Sequence, residues 1–384
     1  MINIGFFKKK SAKTGASLAP SRQLETGRID LPSPLPFEMK LYESLRSAVP
    51  VIDAAISKTV RLTGGFKVVC SDESLQGELD DFVDGVKTGL SGQGLQSFID
   101  GYLDSLLTYG SAVGEIILDP ASMKIAGLFN ANPSDVEVRA GDNPLSAKYF
   151  VKAQDGLRQI QIPELILFTA LNPLPGQAYG RPILRGLPYI SSILMRIYEC
   201  IGQNFDRAGN IRYAVTYKPQ DSADRAYAKE RAEQIAKEWS DGMQAAKYGQ
   251  IRDFVAVGDV EIKVIGADAQ ILDTEIPVRQ LLEQIVAKLS IPPFLLGLNW
   301  NSTERMSAQQ ADILTSELEY YRRLLTPVIK RIAECFLRLS GSFAKAEVEW
   351  DDINLQDEVE LADARLKTAQ AMEIEQRLSP DEKF

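Results

Sequence analysis

Apolar residues recur at helical spacing through the first part of the chain. Residues 38–48 read as one helix. Pro50 restarts it, and Val51, Ile52, Ala55, Ile56 and Val60 form the apolar side of the next. Gly64 and Gly65 stop that helix, and residues 66–70 read as a strand. Helices near 74–87 and 95–109 follow, the second with Leu95, Phe98, Leu103, Leu106 and Leu107 on one broad side. Tyr109-Gly110 ends it, and residues 112–118 read as a buried strand. Strand-like runs continue at 124–130, 135–139, 147–153 and 165–169, separated by Asn-Pro, Gly-Asp-Asn-Pro and Asp-Gly turns. This part is a mixed α+β domain.

The pattern changes after Pro182. A helix of residues 183–208 is expected, with Ile183, Leu187, Ile190, Leu194, Ile197, Ile201 and Phe205 on an apolar stripe. Arg185, Ser192, Arg196, Glu199, Gln203 and Arg207 lie on the opposite, polar one. It ends at Gly209-Asn210. A strand at 211–217, a very polar helix at 221–240 and short strands at 249–257 and 260–266 make a small module. A second helix starts near Ile276-Pro277, where proline suits a first turn, and carries Val278, Leu281, Leu282, Ile285, Val286 and Leu289. Ile291-Pro292-Pro293 stops it. A polar loop leads into a helix running to about residue 339, with Ile313, Leu314, Tyr321, Leu324, Leu325, Val328, Ile332 and Phe336 on its apolar side. Pro327 inside it predicts a kink. Residues 346–350 read as a last strand and 355–378 as a charged helix.

The chain has 384 residues, which suits two or three compact units at roughly 100–200 residues each. Hydrophobic residues make up 45%, enough to bury a core. No apolar run approaches the ~18–20 residues that span a bilayer, so no membrane segment is expected. At the N-terminus the charges follow the apolar stretch, the reverse of a secretory signal. Cys70, Cys200 and Cys335 are odd in number and far apart, which fits a reducing compartment better than a disulfide framework or a zinc site. There is no histidine at all, which excludes Ser-His-Asp and Cys-His nucleophiles, histidine bases and histidine metal ligands. No phosphate-binding P-loop motif is present. The net charge is −9, whereas a protein that grips DNA through its phosphates carries a basic face. The charge is also uneven: Lys8, Lys9, Lys10 and Lys13 stand near the start without an acid, while residues 346–384 hold twelve acids and four bases.

Two long helices bracketing a small module place that module on a stalk. Either the helices pack into one core of an ordinary two-domain protein, or stalks of several copies pack side by side with their polar faces around a passage. The polar residues Asn299, Trp300, Asn301, Ser302 and Thr303 sit on a base stiffened by Pro292 and Pro293 and held by Leu295, Leu296 and Leu298. A polar tip on a stiff base suits contact with a moving partner; the plain alternative is a routine connection between helices.

Several segments in order resemble a known family. The run Ile291-Pro-Pro-Phe-Leu-Leu-Gly297, the polar loop, Gln309-Gln310 and the long helix resemble the portal proteins of tailed bacteriophages, of the HK97-like type. So do residues 51–69, the run Leu106-Leu-Thr-Tyr-Gly-Ser-Ala-Val-Gly-Glu-Ile116, the run Asn130-Ala-Asn-Pro-Ser-Asp-Val136, Tyr179-Gly-Arg-Pro182, and residues 204–215 and 258–265. The resemblance covers roughly residues 40–380.

It implies a homo-oligomeric ring, usually of twelve subunits, at one capsid vertex of a virion assembled in a bacterial cytoplasm. Double-stranded DNA is packaged and ejected through the ring without sequence specificity. The large terminase, head–tail adaptors and the major capsid protein are the expected partners, with no cofactor, metal or catalytic residue. By segment, it implies a flexible basic arm (1–36), a wing (37–182 and 305–352), stem helices (183–210 and 274–290), a clip (211–273), a tunnel loop (291–304) and a short C-terminal helical crown (353–384). Asn299 to Thr303 would reach toward DNA. Arg185, Arg196, Glu199, Gln203 and Arg207 would form the stem's channel face, where the arginines either meet DNA or pair with a neighbour's acids. An acidic balance suits a channel along which phosphates slide rather than bind. Two rivals are a metal-dependent nuclease built on Asp351, Asp352, Asp357 and Glu358, and a DNA-binding or regulatory protein unrelated to portals. Carboxylate-dependent cleavage would favour the first, and salt-sensitive duplex affinity the second.

Overall fold

The computed structural model describes residues 36–90, 92–141, 146–153, 156–209, 212–219, 225–247, 259–265, 274–298 and 304–353. The expected basic arm, the strand at 249–257, the tip of the loop at 299–303 and the helix at 355–378 lie outside the described residues. The chain divides into two compact units, Met1–Ser191 with Glu283–Phe384, and Ser192–Leu282.

The first unit opens with α1 (Pro36–Ala48) and α2 (Pro50–Thr63). Pro50 stands at the start of α2, where a missing N–H costs nothing. The buried side of α2 is Ile52, Ala55, Ile56, Thr59, Val60 and Thr63. Gly64, at φ +81, ends it. Strand β1 (Phe66–Cys70) and α3 (Gln76–Gly85) follow, then two short strands, β2 (Lys87–Thr88) and β3 (Gly92–Gln93). Helix α4 (Leu95–Tyr109) is the buried centre: Leu95, Phe98, Ile99, Tyr102, Leu103, Leu106 and Leu107 are at most 2% exposed. It touches α1, α2 and α3 as well as strands β4 (Ser111–Leu118) and β5 (Ile125–Ala131). The Tyr102 hydroxyl meets Thr169 Oγ1 at 2.9 Å, and burial pushes its pKa up.

Five strands form the main sheet in the order β3-β2-β5-β4-β9, with β9 spanning Ile166–Ala170. β4 is antiparallel to both neighbours, and β2 joins β5 in parallel through Thr88 and Leu128. Strands β6 (Val136–Ala140), β7 (Ala147–Ala153) and β8 (Gly156–Gln159) make an antiparallel sheet. Val113, Val136 and Ile166 form a small core with Tyr149 and Phe168 packed against it. β8 was not expected: its Gly-Leu-Arg-Gln sequence is exposed throughout and carries no alternation. β2 and β3 are two residues each, too short for a periodic signal.

α5 (Leu187–Gly209) runs from the first unit into the second, which holds β10 (Arg212–Lys218), α6 (Ala228–Lys247) and β11 (Asp259–Ile265), and α7 (Glu275–Leu289) returns to the first. β10 and β11 pair antiparallel from Arg212↔Ile265 to Lys218↔Asp259, and α6 packs on β10. Hydrogen bonds from Lys218 (2.7 Å) and Lys263 (2.9 Å) hold the Glu261 carboxyl down at about 2. The polar helix expected at 221–240 instead runs to Lys247, because Ser240, Asp241 and Gly242 lie within it and do not break it.

The long helix α8 (Glu304–Leu339) belongs to the first unit and packs on α2, α3 and α4 and on β12 (Ala346–Trp350). It continues through Pro327, which is exposed. β12 pairs with β1 from Phe66↔Trp350 to Cys70↔Ala346. Arg322 ties three pieces together: its Nε donates to the Thr63 carbonyl at 2.8 Å, and its guanidinium lies over the Trp350 ring. The buried line of α8 runs through Leu314, Leu318, Leu325, Ile329, Ile332 and Leu337. Ile313, expected on that line, is 64% exposed. One residue is about 100° of rotation, enough to turn it out while Leu314 goes in. Leu318→Ala should therefore lower stability by about 2–5 kcal/mol and Ile313→Ala by no more than about 0.5 kcal/mol, measured by denaturant unfolding of the dissociated chain.

Candidate functional site

Two distant runs of sequence meet at one backbone crossing. Gly110 closes α4 at φ +78, its N–H bonding the Leu106 carbonyl at 2.9 Å. A Cβ on Gly110 would overlap the backbone of Arg181 and Pro182, and one on Gly180 would overlap the Gly110 carbonyl and the Leu171 backbone. Around this point Leu171 N donates to Gly110 O (2.8 Å), Arg181 N to Leu171 O (2.7 Å) and Ile183 N to Leu107 O (3.2 Å). Gly180 N donates to Ser111 Oγ at 3.0 Å. Tyr179 is buried, and its hydroxyl accepts from Val138 N at 2.7 Å on β6. The runs at 106–116 and 179–182 are thus two sides of one junction, a role for Tyr179 that its sequence context does not signal.

The chain leaves this junction toward α5. Residues 183–186 form turns in which Arg185 N bonds Pro182 O (3.2 Å) and Leu187 N bonds Leu184 O (3.0 Å). Gly186 takes φ +92, and only then does α5 begin, with Pro188 in its first turn. The helix therefore starts four residues later than expected. Arg185 sits in the preceding turn and not on the polar face of the helix. Arg196, Glu199 and Gln203 are exposed on α5, and their spacing sets them on one side; Arg207 continues that spacing within the helix. Of the expected apolar stripe, Leu187 and Leu194 are buried and Ile190, Ile197 and Ile201 half-buried. Phe205 is 63% exposed. Tyr189, Met195 and Tyr198 of α5 and Ile276 of α7 are exposed as well.

The base of the loop is built tightly. α7 ends at Leu289, and Ser290 takes φ +53. Ile291 and Pro292 are buried, and Pro293–Leu296 makes a single 3-10 turn against α2. Gly297, at φ +75, caps it with a bond to Phe294 O at 3.1 Å, and Leu298 N bonds Pro293 O at 3.0 Å. Leu295, Leu296 and Leu298 are half-buried. The segment expected as loop from 291 thus opens with an ordered foot, and α8 begins at Glu304. Asn299, Trp300, Asn301, Ser302 and Thr303 lie outside the described residues, between these two fixed ends.

Asp351 and Asp352, the carboxylates of the nuclease alternative, sit beside Arg322. Burial lowers the Arg322 pKa, and the charges of Asp351, Glu319 and Asp352 oppose that shift. Asp351 N also donates to Gly65 O at 3.0 Å. Among the described residues no three His, Cys, Asp or Glu side chains are grouped to hold a metal, and no helix is long and apolar enough to cross a membrane. Asp357 and Glu358 lie outside the described residues.

The sequence profile of the family described as phage portal protein matches residues 91–377. The chain belongs to that family. No curated protein sequence matches it. Among solved structures, a chain from the neck of an empty gene transfer agent particle, computed with C6 symmetry, superposes with a TM-score of 0.65 at 17% identity. It covers 93% of this chain and 94% of its own. A chain from the virion of a native gene transfer agent particle gives 0.64 at 16% identity over 93% and 94%. A chain from the neck of the native particle, computed with C12 symmetry, gives 0.60 at 16% identity over 85% and 88%. These likenesses share the α+β fold over nearly the whole chain.

The junction makes a sharp demand on sequence. Gly180→Ala is expected to lower stability by roughly 3–5 kcal/mol, because backbone has to move to admit the methyl group. Gly77→Ala in α3, where a Cβ meets nothing within 4 Å, should leave stability unchanged or raise it by up to about 1 kcal/mol. Thermal unfolding of both variants checks the contrast.

Proposed function

We propose that this chain is a structural, non-catalytic subunit of a ring-shaped portal at one capsid vertex, through which double-stranded DNA is packaged and ejected. The observation that carries the reading is the family match across residues 91–377. The likeness to a chain from the neck of the native gene transfer agent particle, computed with C12 symmetry, supports a ring of twelve. The exposed Tyr189, Phe205 and Ile276 support it from the chain itself, since apolar side chains of this size gain when a neighbouring copy covers them.

In this reading α5 and α7 are the stem, and residues 211–273 are the clip that meets the large terminase and later the head–tail adaptor. The first unit is the wing, facing the major capsid protein, and residues 353–384 belong to the crown. Residues 299–303 form the tip of the tunnel loop. The stiff foot at 291–298 fixes where that tip starts, so its reach is set by five residues and not by a longer floppy segment. Arg196, Glu199, Gln203 and Arg207 belong to the channel side of the stem; Arg185, in the turn before it, belongs to the wing–stem corner. The subunit acts in the virion and assembles in the bacterial host cytoplasm. The net charge of −9 favours passage of DNA over retention, because bound phosphates would add a salt-dependent drag.

Negative-stain imaging and native mass spectrometry of the purified protein should show rings with a central hole. A chain that stays strictly monomeric inside particles would refute the proposal. Deleting residues 299–303 should leave rings intact and reduce the DNA packaged or retained per particle. Normal packaging in that variant would remove the loop from the mechanism.

A further inference from the structure

The sheet β6-β7-β8 has two outer edges, and only one of them is closed by a side chain. On β6 the outward groups are those of Val136 and Val138. The Tyr179 hydroxyl covers them, accepting from Val138 N at 2.7 Å and donating to Val136 O at 3.4 Å. The same device closes β1, where the Gln76 amide accepts from Cys70 N at 2.7 Å and donates to Val68 O at 2.8 Å. β8 has no such cover. All four of its residues are exposed, Leu157 by 44%. Ile160 N donates to Tyr149 O on β7 at 2.9 Å, so by alternation Arg158 faces β7, and Leu157 and Gln159 turn their N–H and C=O outward. Neither outward N–H meets an acceptor among the described residues. The Gln159 carbonyl has a long contact from its neighbour, Gln161 Nε2, at 3.4 Å. An uncovered edge of this kind is a template for a further strand.

Arg158 decides which strand fits. A second copy of β8 is disfavoured by register. For both outward residues of both copies to bond, Leu157 has to face Gln159 of the other copy. The two Arg158 side chains then stand directly opposite, in the pair type whose Cα atoms are only ~4.5 Å apart, where like charges are destabilising. The rest of the sheet points the same way. β6, β7 and β8 carry Arg139, Lys148, Lys152 and Arg158 against the single acid Glu137, which is already paired with Arg139 at 2.6 Å. Lys152 donates to a neutral group, the Ser134 carbonyl, at 2.6 Å. A negative partner is therefore favoured. Single-stranded nucleic acid fits less well, because Phe150 is half-buried and has the Arg139 guanidinium over its ring at 4.8 Å, where a base would stack.

We infer that β8 is a docking edge for an extended segment of another protein, which adds as an antiparallel fourth strand and alternates acidic with apolar residues. Its apolar residues exchange main-chain bonds with Leu157 and Gln159 and cover the Leu157 side chain. Its acids lie opposite Arg158, on the other face of the sheet. Arg158 thereby rejects a second copy and selects an acidic partner. The contact is made by the first unit alone and does not depend on a ring.

A short capped peptide of alternating valine and glutamate, labelled with fluorescein and titrated against the full-length protein by fluorescence anisotropy, tests this. It should bind roughly tenfold more tightly than the same peptide with lysine for glutamate. Methylating the valine nitrogens removes the N–H groups that meet β8 and should weaken binding roughly tenfold. Methylating the glutamate nitrogens, which point away from β8, should change it by less than about twofold. Arg158→Glu alters an exposed side chain and should reverse the order of the glutamate and lysine peptides. The inference is overturned if the glutamate peptide fails to bind at millimolar concentration, or if methylating either set of nitrogens has the same effect. An unchanged peptide order in Arg158→Glu also overturns it. A labelled single-stranded oligonucleotide that binds, and that the glutamate peptide displaces, would assign the edge to nucleic acid instead.

Discussion

Two strips of backbone cross at Gly110 and Gly180 with no space for a side chain on either, and much of the first unit follows from that contact. It fixes where α4 ends, because Gly110 leaves the helix in a conformation that other residues rarely adopt. It fixes where β4 starts, since Ser111 is at once the first residue of that strand and the acceptor for Gly180 N. It also anchors the turn that precedes α5, through the bond from Ile183 N to Leu107 O. A backbone crossing of this kind resists gradual adjustment, as close-packed interiors do in general. A small change at the corner would have to be absorbed by α4, the sheet or α5.

The rest of the unit closes by contacts between residues far apart in sequence. Among the described residues, β1 pairs with β12, from the other end of the chain. Arg322, on α8, receives its orientation from both: it donates to the last carbonyl of α2 and stacks on Trp350 of β12, with Asp351 and Asp352 offsetting the penalty of its burial. The second unit is inserted between two parts of the first, so the halves of the first must find one another across it. Pairings of such sequence separation are slow to form because loop closure precedes the contacts that reward it. α4, with local contacts to α3 and β4 and a broad side of buried apolar residues, is the natural element for them to gather on.

The elements that could be read in advance are those whose burial matches a simple period. α4 is one, because Leu95, Phe98, Leu103, Leu106 and Leu107 stay in phase over its whole length. α8 was legible as a long amphipathic helix, yet Ile313 was placed on the wrong side, since composition cannot tell which of two adjacent apolar residues points inward. The start of α5 was missed because Ile183 continues the apolar rhythm, while the break depends on Gly186 adopting a positive φ that only the fold demands. β8 was invisible because its four residues are all exposed and pair with β7 without entering a core. The foot of the loop was legible in its two prolines. The turn at Pro293–Leu296 and its packing on α2 were not, as they depend on α2 being there.

If the chain assembles as a ring, the exposed charges of α5 and its exposed apolar side chains do different jobs. An ion pair at the surface is worth ~0.2–1 kcal/mol and is screened by salt, so Arg196 and Glu199 against a neighbour's charges would hold little. Apolar area is worth roughly 25 cal/mol per Å² removed from water and is not screened. Tyr189, Met195, Tyr198 and Phe205, with Ile276 of α7, then supply most of the association energy of the stem. The charges choose the register, because like charges brought together by a shifted neighbour are penalised at every interface of the ring. A ring built this way can keep its channel side polar without weakening its own joints.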